Sequence, residues 1–515
     1  MKNRRSPFLK LALFATGLSG IVAEYILSTL ATYFIGDSAV QWSLIVSVML
    51  FSMGLGSRIS KYLEGNLLIK FIGVEFALSL LVSFSSLIAY SAAGFTDYVG
   101  VIIYGMSILI GLLIGLEIPL VIRLNEDFES LKVNIALVME KDYLGSLVGG
   151  LFFAFVGLPI LGLTYTPFIL GFINLLVAVG LFITVRRELG SKFNARITIS
   201  SGIILLVMFG GITQAQDIIL YGEQKRYKDK VVFSAQSKYQ KIVMTQWKDH
   251  YWLYLNGNQQ LSTLDEDKYH EALVHPAMKL SHEVKDVLIL GGGDGCAARE
   301  VLKYPSVKSI TVVDLDSMMT GLATRHPILK ELNEASFSNP KVKVLNADAF
   351  TWLENSSAFF DVIMIDLPDP RSVELNRMYT EEFYRICNLK LRPHGVLITQ
   401  AGSPYFATKA FKCIDKSMTA AGFETLPLHN HVLTLGEWGW VLGQKQEWTQ
   451  GELKQRARSL RFEDIDTRWL NNEAILMMSS FGKEIYFEVK DSIEINHIQD
   501  PVLYRYYLKG NWDLY

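Results

Sequence analysis

The chain has 515 residues, 49 of them basic and 51 acidic, and half are hydrophobic. This length admits two or three domains, and the balanced charge gives no sign of a nucleic-acid partner. A mean hydropathy of +0.25 is unusual for a water-soluble enzyme, and the apolar excess lies in the first 215 residues. Cys296, Cys387 and Cys413 are too few and too scattered for a disulfide framework or a metal cluster, and Cys296 reads as a small packing residue.

Apolar segments at 8–35, 39–56, 67–90, 99–122, 135–159, 164–185 and 197–213 are each about long enough to cross a bilayer core. They predict a helical transmembrane domain over 1–215 with about seven helices. The first is too long, and followed by too many others, for a cleaved signal peptide. The spacings Gly111-x-x-x-Gly115 and Gly145-x-x-x-Gly149 predict close helix packing. Basic residues fall on alternate connections: Lys2, Arg4, Arg5 and Lys10, then Arg58 and Lys61, then Arg123 and Lys132, then Arg186, Arg187, Lys192 and Arg196. By the positive-inside rule the start of the first helix is cytoplasmic.

Glu24, Glu75, Glu117 and the run Glu140-Lys141-Asp142 stand within or at the ends of these segments. Ionisable groups at membrane depth are costly and often line a substrate or ion path, for which Glu24 and Glu117 are the better candidates. The plainer reading of Glu140 to Asp142 is mutual pairing in the headgroup region.

From 216 to 282 the composition turns polar, with short alternating strands and a hairpin turn at Asn256-Gly257, predicting a small β-domain. A helix over 265–280 follows, expected to carry Tyr269, His270 and Glu271 towards the crevice of the next domain. The stretch 283–445 then reads as a Rossmann-like α/β domain of the class I methyltransferase type, and 446–515 as a C-terminal extension whose Tyr504, Tyr506, Tyr507 and Trp512 read as packing. A buried strand breaks into Gly291-Gly-Gly-Asp-Gly295, as a nucleotide-binding βα unit opens. A second strand ends at Asp314, roughly 20 residues on, the distance at which a carboxylate reaches a ribose hydroxyl. A third ends at Asp348 and a fourth at Asp366-Leu-Pro-Asp-Pro370. A glycine turn alone is weak evidence. Four carboxylates at strand ends are stronger, because they repel one another unless the crevice takes a cationic ligand.

Tyr239-Gln240, Gln260, Asp265-Glu266, Tyr269-His-Glu271, His275-Pro276, Gly291-Gly-Gly-Asp-Gly295, Arg299-Glu300, Asp348, Asp366-x-x-Asp-Pro370, Glu382-Phe-Tyr384 and Gln400 stand in an order and spacing that resemble the spermidine synthases. The resemblance covers 239–442, and with the apolar front half it is similar to the variant fused to a membrane domain. It implies an aminopropyltransferase that moves the aminopropyl group of decarboxylated S-adenosylmethionine to a polyamine acceptor, by default putrescine, and releases 5′-methylthioadenosine. The resemblance assigns Asp294 to the aminopropyl amine, Asp314 to the ribose, Asp348 and Ala349 to adenine and Gln240 to the nucleoside. Gly291 and Gly293 belong to the same nucleoside site. Gln260, Tyr269, His270 and Gln400 are expected along the arm and the acceptor, and no metal is implied. In this chemistry the sulfonium leaves as a neutral thioether, so no acid is needed, but the amine must lose its proton. Asp366 is the expected base, and Asp369 the group that holds the amine.

Departures from the family pattern are Leu367-Pro368 between the two aspartates, Asp314 where Glu is common, and no evident tyrosine around 429–433. They put the acceptor in doubt. Two other readings stay open: a polyamine transporter or sensor with a non-catalytic synthase-like domain, and an S-adenosylmethionine-dependent methyltransferase. Expected partners are a small amine, the lipid bilayer of the cell membrane and a second copy of the chain. Seven crossings would put the catalytic domain outside, whereas a last segment lying at the interface would keep it cytoplasmic. The cytoplasmic placement is the one expected.

Overall fold

In the computed structural model, residues 5–126, 130–187, 189–445, 451–482 and 493–511 are described. Lys2, Arg4 and Trp512, and the side chain of Arg5, lie outside that set. The chain divides into two compact units, 1–247 and 248–515.

The first unit holds helices α1 (Arg5–Ile35), α2 (Ser38–Ser60), α3 (Leu67–Phe95), α4 (Val99–Asn125), α5 (Leu131–Phe152), α6 (Gly162–Val185) and α7 (Ser191–Arg226). A π-helical stretch, Phe153–Leu161, joins α5 to α6, and Gly162 at φ +64° makes the break. Among the described residues, six helical stretches are long and apolar enough to cross a membrane, with Leu131–Val185 counting as one of 55 residues. Both glycine pairs do what their spacing predicts. A side chain at Gly115 would begin 2.0 Å from Met53 O, and one at Gly145 only 2.1 Å from Phe14 O, so α4 lies on α2 and α5 on α1 at backbone contact.

The last helix is a correction. The segment expected over 197–213 is part of α7, one continuous helix of 36 residues. It runs the length of the bundle: Ser79 Oγ lies 3.5 Å from Met208 Sδ. Gly222 packs on Tyr90 O, and Arg226 covers the ring of Tyr33 near the end of α1. Gly202, Gly210 and Gly211 do not break it, because an apolar groove supplies the stability that propensity withholds. Beyond it, β1 (Lys230–Gln236) pairs antiparallel with β2 (Lys241–Trp247). Lys241 Nζ lies 3.5 Å from Glu223 Oε1. Glu75 and Glu117 are fully buried, and neither oxygen of Glu75 has a hydrogen-bonding partner.

The second unit opens with β3 (His250–Leu255) and β4 (Asn258–Ser262), paired antiparallel. Their turn residues, Asn256 at φ 50° and Gly257 at φ 80°, both adopt the left-handed conformation that a tight hairpin demands. Helix α8 (Glu266–Leu280) follows. The sheet then comprises β5 (Asp286–Gly291), β6 (Ser309–Asp314), β7 (Val342–Asn346), β8 (Phe360–Asp366), β9 (Leu391–Gly402), β10 (Glu424–Val432) and β11 (Gly436–Gln444). Their order is β10-β11-β9-β8-β5-β6-β7, with β5 to β9 parallel and β10 and β11 antiparallel. Val287, Leu288, Ile289, Leu290, Ile363 and Ile365 are fully buried, as strands covered on both faces require. The chain moves from β5 to β6 on one side and later to β8 on the other, so the strand order reverses between β5 and β8. A crevice opens at such a point.

Candidate functional site

Register brings the crevice together. Gly291 at the end of β5 pairs with Asp366 at the end of β8. Gly292 N donates to Asp366 O at 2.9 Å. A side chain at Gly291 would begin 2.1 Å from that same oxygen, and φ is +84°, so only glycine fits. Behind the turn, α9 (Cys296–Leu302) begins, and Asp294 Oδ1 accepts from Cys296 N at 2.8 Å. Gly293 packs on Asp314, whose Oδ1 accepts from Asp316 N at 2.8 Å. Burial, with Asp316, Asp294 and Asp366 nearby, pushes Asp314 up to about 6.

Asp366 is the centre. Its Oδ1 accepts from the Tyr269 hydroxyl at 2.8 Å, while its buried Oδ2 has no hydrogen-bonding partner. Burial pushes this carboxyl up to about 6, with Asp294 adding to the rise and His270 and Tyr269 opposing it. Burial and the Asp366 carboxylate also raise the Tyr269 phenol well above its ordinary range, so it stays a donor. The Tyr269 ring lies 5.4 Å from that of Trp440 on β11.

His270 is buried in a chain of charges. Its Nδ1 meets Glu266 Oε2 at 2.7 Å, and its Nε2 lies 3.8 Å from Asp294 and 4.0 Å from Asp366. Burial alone would lower this imidazole, but the bond to Glu266 and the carboxylates of Asp294 and Asp366 lift it to about 9. Arg299 grips Glu266 with two bonds, of 2.8 and 3.0 Å. His270, Asp294 and Asp366 could each bring one ligand atom within 4.8 Å of the others.

Asp369 repeats the pattern of Asp366. Its Oδ2 accepts from the hydroxyl of Tyr507 and lies 3.5 Å from Arg371, while its buried Oδ1 has no partner. Tyr507 belongs to the helix Val502–Leu508, which the sequence presented as packing. The unusual Leu367-Pro368 loop is held by its carbonyls: Gln400 Nε2 donates to Leu367 O at 2.8 Å, and Tyr379 Oη lies 3.0 Å from Pro368 O.

The other expected residues are placed as follows. Gln260, Tyr269 and His270 line one small cleft. Gln400 is buried, with its amide committed to Leu367, Tyr379 and Gly402. Asp348 caps the helix Ala349–Asn355 through Thr351 and meets Arg377 with its other oxygen. Gln240 stands in the β1–β2 turn of the first unit, where its N–H is bonded to Ser237 Oγ at 3.0 Å. Glu271 takes three backbone N–H groups of Arg468, Trp469 and Leu470, and so anchors the C-terminal extension. Tyr379, Trp440 and Tyr507 were missed, and only the aromatic richness of the tail hinted at the last.

A parallel-centred α/β sheet with acids converging at its switch point defines a Rossmann-like domain with a carboxylate-lined crevice. Residues 266–454 match the spermine/spermidine synthase domain. Over 98% of its length the chain is 42% identical to polyamine aminopropyltransferase 2 of Aquifex aeolicus, covering 99% of that protein. It is 39% identical to the polyamine aminopropyltransferase of Leptospira interrogans, over 95% of each. A spermidine synthase structure from Thermotoga maritima aligns with 50% of this chain and 85% of its own, at 26% identity and a TM-score of 0.44. The chain belongs to the spermine/spermidine synthase family of enzymes.

Proposed function

We propose that the chain transfers the aminopropyl group of decarboxylated S-adenosylmethionine to a polyamine acceptor, by default putrescine to give spermidine, and releases 5′-methylthioadenosine. The observation that carries this reading is the pair Asp366 and Asp369. Each has one oxygen held by a tyrosine hydroxyl and a second buried oxygen without a hydrogen-bonding partner. Two such open acceptors, three residues apart, suit a diamine.

Asp366 Oδ2 takes the proton of the attacking amine as the new C–N bond forms and the C–S electron pair returns to sulfur. Tyr269 keeps the base oriented, and Asp369 holds the acceptor. Asp294 takes the amine of the arm and thereby disfavours S-adenosylmethionine, whose extra carboxylate it would repel. Asp314 takes the ribose, and Asp348, with the Ala349 backbone, takes adenine. Gly291 and Gly293 complete the nucleoside side, and Gln260, His270 and Gln400 the acceptor side.

The apolar helices support a multi-pass place in the cell membrane, in contact with lipid, and association with a second copy is expected. Supply of the donor from the cytosol supports a cytoplasmic catalytic unit. With α7 crossing, that puts the start of α1 outside, against the basic residues there.

The test is full-length protein incubated with decarboxylated S-adenosylmethionine and a panel of amines, following 5′-methylthioadenosine by mass spectrometry. Release with one amine, lost in Asp366→Asn, is expected. No release with any amine while nucleoside still binds would leave a transport or sensing role, and methyl transfer from S-adenosylmethionine would make it a methyltransferase.

A further inference from the structure

The C-terminal helix Val502–Leu508 is built into the catalytic unit. Val502, Leu503 and Tyr507 are buried in one core with Ala401, Ala407 and Phe411. Asn496 Nδ2 donates to Tyr379 O at 3.0 Å, and its Oδ1 accepts from Leu503 N at 3.2 Å. Tyr504 N donates to Asn376 Oδ1 at 3.0 Å. These bonds tie the segment to the loop that follows β8, so Tyr507 has a fixed address.

At that address Tyr507 meets Asp369. Its hydroxyl donates to Oδ2, and the Arg371 guanidinium lies over its ring at 5.5 Å. Burial and the neighbouring carboxylate raise the phenol well above its ordinary range, so it keeps its proton. One oxygen of Asp369 is therefore occupied from the side of the C-terminal helix, and the buried Oδ1 is left open. Gly402 borders that oxygen. A side chain there would begin 3.7 Å from Asp369 Oδ1 and 3.6 Å from the Tyr507 ring, with nothing closer. Because Gly402 has no side chain, a carboxylate oxygen and an aromatic ring border one another there. An alkylammonium suits both neighbours.

We propose that the C-terminal helix forms one wall of the amine-acceptor site, with Tyr507 positioning Asp369 so that Oδ1 receives the ammonium group of the acceptor that is not attacked. The assignment of that ammonium to the acceptor rests on the transferase reading. The site would take linear diamines and reject monoamines, which have no second charge to place there.

The test compares the full-length wild type with Tyr507→Phe, Asp369→Asn and the double variant, by kinetics and by calorimetric titration with 1,4-diaminobutane. Tyr507→Phe is expected to raise KM for the diamine about tenfold, as the loss of a hydrogen bond to a charged group does. kcat should stay within about twofold, because Tyr507 does not touch the reacting atoms. Once Asp369→Asn is present, Tyr507→Phe should add nothing further, which a merely structural role would not give. An unchanged KM, or additive effects of the two substitutions, would overturn the proposal. Calorimetry separates the two readings. Diamine binding weakened by both single variants, with no 5′-methylthioadenosine from the wild type, keeps this site and sinks the transferase. Binding indifferent to both sinks the site whatever the catalysis.

Discussion

Tyr269 donates its hydroxyl to Asp366 Oδ1 across 2.8 Å, joining α8 to the carboxyl end of β8. A neutral donor on one oxygen orients the carboxylate and partly compensates its burial, while the other oxygen stays available for a proton. On the proposed reading, Oδ2 is therefore the atom that acts as the base.

Tyr269→Phe removes the donor without emptying the space. Hydrogen bonds to charged groups are worth about 1.5–3 kcal/mol, which is roughly ten- to hundredfold in rate. We expect kcat to fall by that factor with donor KM unchanged, measured by steady-state kinetics. A variant as fast as the wild type would show that Asp366 needs no such support.

The pH dependence follows from the same carboxyl. Asp366 must be ionised to act as base and sits near 6, so kcat/KM should rise as pH increases through about 6. In Tyr269→Phe a bond that lowers this value is gone, and the midpoint should move to higher pH. A wild-type profile flat from about pH 5 to about pH 7.5 would contradict the assignment.

His270 makes a prediction about stability. Its folded value of about 9 lies above the ordinary 6.5, so the charged form is favoured by folding. The stabilisation is therefore complete below about 6.5 and is lost as pH rises through about 9. At about 1.4 kcal/mol per unit it amounts to about 3 kcal/mol at most. Thermal unfolding of wild type and His270→Gln should converge as pH is raised across that window. Parallel curves would mean that the imidazole is neutral throughout.

The 36-residue helix α7 predicts that reporter fusions placed after Gly190 and after Tyr515 lie on opposite sides of the membrane. Reporters on one side would show that α7 does not cross. The side on which the second reporter lies decides between the charge pattern, which favours an outer catalytic unit, and donor supply, which favours the cytosol.

Much of the site was legible because its signals are local. A strand that ends in glycines or an acid announces itself within a few residues, so Gly291, Asp294, Asp314, Asp348 and Asp366 could be placed before any fold was known. The hairpin at Asn256-Gly257 was legible for the same reason. The glycine pairs of α4 and α5 were legible because a four-residue spacing puts both on one helix face.

What the chain could not announce was which oxygen of each carboxylate is already taken. Asp366 owes its donor to a residue 97 positions away, and Asp369 to one 138 positions away. Glu271 stands beside two crevice residues yet faces the extension, because successive helix positions point about 100° apart. The glycine-bearing α7 was misjudged for a related reason, since packing along the bundle overrode its local propensity. By itself the sequence determined the family and the strand-end acids, which are properties of short windows. Tertiary structure alone decided the open oxygens of Asp366 and Asp369, the place of Tyr507 and the course of α7. Each of these depends on partners that only packing brings within hydrogen-bonding or van der Waals distance.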